Sequence, residues 1–151
     1  MNTPRMQLRT VARPQIEALI ALEHSIKLDE TLTHLVKVRA SQINGCAFCL
    51  DMHWKEARAA GERDERLYGL DAWRESPLYD DCERAALALC EAVTLITDGH
   101  VPDPVWDDAA RHFDEAELGQ LIFSIGTINL FNRLNITVRT PPGTYRVKSQ
   151  T

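Results

Sequence analysis

The chain has 151 residues, with 17 Lys and Arg against 22 Asp and Glu, giving a formal net charge of -5; 44% of its residues are hydrophobic. That length suits one domain spanning 1–151, with a core about 14–136, able to bury roughly 70% of the surface its unfolded chain exposes. The acids and bases interleave with no basic block and no run of about 18 apolar residues, which argues against nucleic acid or a membrane as partner.

The first ten or so residues read as a loose arm without the apolar centre of a signal peptide, so a cytoplasmic location is expected. There, four cysteines are expected to be catalytic, metal-binding or buried rather than a disulfide framework. Pro14 is placed to open a helix through Ile26, with Ile16, Leu19, Ile20 and Glu23 at helical spacing. Asp29 caps a second helix to Ile43, whose apolar face of Leu32, Leu35, Val36 and Ile43 also carries Arg39, a guanidinium in need of a carboxylate. Thr33, His34, Lys37 and Ser41 fall on the opposite face. Asn44-Gly45 interrupts, and a third helix starts at Gly45 or Cys46 and runs to Ala60 before Gly61. Its inner face reads Cys46, Cys49, Leu50, His53, Ala57 and Ala60, with Phe48, Met52 and Ala59 as a second apolar edge.

A short helix follows from Arg63 to Trp73. Asp80-Asp81-Cys82-Glu83 then forms a capping box ahead of a helix to about Thr97, with Cys82, Ala86, Leu89, Val93 and Ile96 inward. Pro102 to His112 suggests another short helix. Asp114 caps the last long one through Leu121, Ile122, Ile125, Ile128 and Leu130 to about Leu134, and Thr140-Pro141-Pro142-Gly143 begins a tail. With no period-2 alternation, the fold class is all-α, with six or seven helices.

The chemistry concentrates at Asn44-Gly45-Cys46-Ala47-Phe48-Cys49-Leu50-Asp51-Met52-His53. Residues three, four and seven apart are helical neighbours, so both thiols and the imidazole share one face. A helix N-terminus, a protonated imidazole and a neighbouring thiol each favour the thiolate, and a second thiol one turn away can close a disulfide on an oxidised first one. The helix terminus favours Cys46 as nucleophile; the imidazole favours Cys49. Cys82 and Cys90 lack such company and read as buried small hydrophobes, His24, His100 and His112 as surface or cap residues, and Glu83 as a cap. His34 fits either a solvated residue or one aimed at the third helix. In a rival reading Cys46, Cys49, His53 and His34 supply a Cys₂His₂ set for zinc.

The segment Leu35 to His53, together with Lys55-Glu56-Ala57-Arg58, Glu83-Arg84-Ala85-Ala86-Leu87 and Asn129-Leu130-Phe131-Asn132-Arg133-Leu134, closely resembles the alkyl hydroperoxidase D-like branch of the carboxymuconolactone decarboxylase family. The resemblance implies an all-helical AhpD-like fold and a homo-oligomer, commonly trimer or hexamer. It also implies an antioxidant thiol-dependent peroxidase without metal, flavin or other cofactor, acting on a hydroperoxide and recycled by a dithiol or protein reductant. It carries over the roles of Cys46, Cys49 and His53, and leans to Cys49 as the attacking sulfur. The family's relay glutamate, twelve before the first cysteine, is His34 here, which would share proton movement with His53; where many relatives have Tyr this chain has Phe48. Ring-lactone decarboxylation, a third reading, has no evident use for paired thiols.

Overall fold

Helix starts follow the caps that the sequence offers. In the computed structural model, which describes residues 3–147, Pro14 sits in the first turn of α2 (Arg13–Ser25). Asp29 accepts from the Leu32 N–H to begin α3 (Glu30–Asn44). Full capping boxes, Asp80 with Glu83 and Asp114 with Glu117, open α6 (Asp81–Thr94) and α8 (Glu115–Val138). Between them lie α4 (Ala47–Ala59), α5 (Asp64–Tyr68) and α7 (Asp103–His112). The expected helix over Arg63 to Trp73 divides at Gly69 into α5 and a 3₁₀ turn, Leu70–Ala72. The described residues thus hold eight α-helices and no strand, one more than the upper expectation because the N-terminal arm contains a single turn, α1 (Leu8–Val11).

The core is built around α3, which packs against α4, α6 and α8. Leu32, Val36, Ala40, Ala86, Leu89, Leu121, Ile125 and Ile128 form one apolar cluster across α3, α6 and α8. A second joins Leu35, Val38 and Ala57 to Leu67, Leu70, Trp73 and Tyr79. Such clusters supply the main driving force for folding, roughly 25 cal/mol per Å² of apolar surface buried. Helix α8 is long and apolar enough in composition to cross a membrane, with a mean hydropathy of 1.2, but its buried stripe is this core.

Several expectations need correction. Ile96 and Ala60, read as inward-facing, are exposed, and Ala59, on the second apolar edge of α4, is exposed as well. Ser41, assigned to the polar face, is fully buried, because Asn132 of α8 reaches it with a hydrogen bond of 3.0 Å. Arg39 finds its carboxylates in Glu91, at 2.8 Å, and Asp71. Among the described residues, arm and tail are both held to the body: the arm's Arg5 N–H donates to Val138 O at 2.9 Å. The tail straps across α4, with Gly143 N–H donating to Asp51 Oδ2 at 3.0 Å and Lys55 Nζ donating to the Tyr145 carbonyl at 3.3 Å.

Candidate active site

The site is made by the joint between α3 and α4. Gly45 ends α3 at φ 68°, a left-handed conformation that suits glycine. The N–H groups of Gly45 and Cys46 bond back to Gln42 O and Ser41 O, and the chain turns directly into α4. Cys46 is therefore the N-cap and not the first helical residue, and its Sγ accepts from the Cys49 N–H at 3.3 Å. Both sulfurs lie in the first turn, where exposed N–H groups make the potential positive. They are bonded to each other, with Cα atoms 5.3 Å apart, and both residues are buried.

His53 is buried one turn further along α4. Its Nδ1 lies 2.8 Å from Glu56 Oε2, and the Tyr145 hydroxyl of the tail donates to Glu56 Oε1 at 2.6 Å. Burial pushes the Glu56 carboxyl up, yet the hydrogen bonds from His53 and Tyr145 and the nearby positive charge outweigh it and hold the group below the usual carboxylate range. Burial, aided by the bond to Glu56, pushes the Tyr145 phenol up to about 12. A carboxylate on Nδ1 fixes the imidazole tautomer with Nε2 free to exchange a proton.

His34 is turned inward, toward α4. Its ring nitrogens are buried without a hydrogen-bond partner, and Glu30, at 3.9 Å, is beyond hydrogen-bonding distance. Burial lowers its pKa, opposed by the charge of Glu56, so near neutral pH it is an uncharged acceptor. The polar face of α3 thus points at α2 and α4, and Lys37 on the same face pairs with Glu23 of α2. Tyr145, which bonds Glu56, also lines an apolar cavity of about 380 Å³, with Met6, Ile16, Phe48, Met52 and Phe131 among others. Asn135 of α8 also lines it and donates to Cys49 Sγ at 3.7 Å.

The structure therefore brings Cys46, Cys49 and His53 onto one buried face, and places His34 where it feels the charges of Glu56 and His53. The zinc set gains no support: among the described residues no three His, Cys, Asp or Glu side chains converge to hold a metal, and disulfide sulfurs are not thiolate ligands. Cys90 is fully buried, its thiol pushed up to about 12 by burial. Burial also raises the Cys82 thiol. Cys90 is thus the buried small residue that was expected, whereas Cys82 is only partly buried.

Residues 17–92 match the model of the carboxymuconolactone decarboxylase family. The chain belongs to that family. Its AhpD-like branch is supported by ATU0492 of Agrobacterium tumefaciens, a protein of unknown function named for the antioxidant defence protein AhpD: TM-score 0.91, 36% identity, covering 95% of this chain and 100% of that one. The uncharacterized YdfG of Bacillus subtilis is 43% identical over 111 residues, 74% of this chain and 76% of its own. The uncharacterized YnjA of Escherichia coli is 38% identical over 115 residues, 76% of this chain and 62% of its own.

Within this carboxymuconolactone decarboxylase fold, sequence reasoning missed three residues. Glu56 was legible, since it stands three after His53 on the same helix. Asn135 continues a row of amides, Asn129 and Asn132, spaced three apart along an apolar helix. Tyr145 lies in a Pro- and Gly-containing tail and gave no signal, yet its hydroxyl reaches Glu56.

Proposed function

We propose that this protein is a thiol-dependent peroxidase or disulfide oxidoreductase with an antioxidant role, working in the cytoplasm, where a reducing environment can return its disulfide to the dithiol. The observation that carries the reading is the buried Cys46–Cys49 pair at the N-terminus of α4, one turn from an imidazole held by Glu56. In the reduced protein one thiolate, Cys49 by the family resemblance, attacks the terminal oxygen of a hydroperoxide. The O–O bond breaks, the sulfur becomes a sulfenic acid, and the departing alkoxide takes a proton from His53. The other thiol, losing its proton to the imidazole, attacks the sulfenic sulfur; water leaves and the disulfide forms. A dithiol or protein reductant then restores both thiols.

Glu56 orients the imidazole and balances its charge as it gains a proton, and the neutral His34 serves as a further proton acceptor. No metal, flavin or other cofactor enters the cycle. The lyase reaction that names the family leaves the two sulfurs without a task. Hydroperoxide consumption by the wild type, Cys46→Ser and Cys49→Ser tests the proposal. Activity is expected in the wild type and lost in both variants; wild-type rates in either variant would remove the mechanism.

A further inference from the structure

Asn135 connects the apolar cavity to the buried sulfurs. Its side-chain nitrogen donates to the Phe131 carbonyl at 2.9 Å and to Cys49 Sγ at 3.7 Å, and the residue lines the cavity. The Phe131 bond fixes the orientation of the amide: a carbonyl oxygen only accepts, so the atom facing it must be the NH₂ nitrogen. The second N–H of that nitrogen is then left for the sulfur. The other two amides of the row are committed to structure, Asn129 to Thr94 and Asn44 and Asn132 to Ser41 and Asn44.

The two sulfurs have different donors. Cys46 Sγ accepts a backbone N–H of α4, whereas Cys49 Sγ accepts the amide of a residue on another helix. A disulfide sulfur is a weak acceptor and a thiolate a strong one, so the Asn135 bond gains most of its strength when the pair is reduced and Cys49 ionises. We infer that Asn135 is the N–H donor that stabilises the Cys49 thiolate, directing ionisation to the sulfur touched by a residue of the cavity wall. The inference deepens the thiol reading above and rests on a pair that cycles through the dithiol.

Thiolate absorbance in the ultraviolet, followed against pH in reduced protein, reads this without any substrate. In a Cys46→Ser background, Asn135→Leu should raise the Cys49 midpoint by about one pH unit or more, the equivalent of one hydrogen bond to a charged group. Asn135→Asp, which keeps the shape but loses both N–H donors and adds charge, should raise it further. In a Cys49→Ser background the same changes should move Cys46 far less. Variants that keep the wild-type helical circular dichroism but leave the Cys49 midpoint unmoved would overturn the assignment. Without any Asn135 substitution, the Asn135 side-chain amide proton signal should titrate with Cys49 in reduced protein, and a flat signal would overturn it equally. A wild type that consumes no hydroperoxide would remove the peroxidase reading and leave this titration intact.

Discussion

Glu56 couples more of the site than any other single side chain, holding His53 on one carboxylate oxygen and Tyr145 on the other. Glu56→Gln removes the charge that balances a protonated imidazole, and hydroperoxide-dependent disulfide formation should fall on the order of a hundredfold, the scale of acid–base catalysis. Stopped-flow oxidation checks this; an unchanged rate would make Glu56 a bystander. His34 contributes through stability. Its pKa in the fold lies below the ordinary 6.5, so as pH drops below 6.5 the unfolded chain takes up a proton that the folded chain refuses. Stability is lost from that pH down to the folded value, and is level beneath it. Thermal melts on either side of pH 6.5 should show this loss in the wild type and not in His34→Gln. The cysteines and His53 were legible in the sequence because helical spacing places them together. The partners of Arg39 were not, since Glu91 stands 52 residues away and periodicity along one helix says nothing about what faces it.

At the scale of elements, the α3–α4 joint sets the geometry. Gly45 has φ 68° and open space where a Cβ would lie, so Gly45→Ala tests backbone strain alone and should cost about 1 kcal/mol in denaturant unfolding. No loss would mean that the joint relaxes without strain. The C-terminal strap is held to α4 by Asp51, Lys55 and Glu56. Tyr145→Phe, which removes one of these bonds, should destabilise the fold by about 1 kcal/mol. The starts of α3, α6 and α8 could be read because Asp29, Asp80 and Asp114 carry a local chemical signature. The contacts of the arm's and tail's described residues could not be read because what pins them is distant: carbonyls at the end of α8 and side chains of α4. Helix α8 runs to Val138, past the expected Leu134, and is capped by Arg139 in a left-handed conformation whose N–H bonds back to Asn135 O and Ile136 O.

At the scale of the whole molecule, the all-α fold followed from the absence of period-2 patterning, while the outward face of α8 could not be told from its inward one. The helix is apolar on both sides, and Ile122, Phe123 and Leu130 lie exposed beside Leu22 of α2. Contiguous exposed apolar surface of this kind marks contact sites, and we propose that the trimer or hexamer implied by the family resemblance covers it. Phe123→Lys should then shift sedimentation to a smaller species; an unchanged sedimentation coefficient would place the subunit contact elsewhere. The central claim, that Cys46 and Cys49 are a working redox pair, is tested most directly by mixing reduced protein with an organic hydroperoxide and counting products by mass spectrometry in a single turnover. One alcohol should be released for each Cys46–Cys49 disulfide formed. Hydroperoxide left intact beside free thiols, or alcohol formed at the same rate by a protein lacking both cysteines, would contradict it.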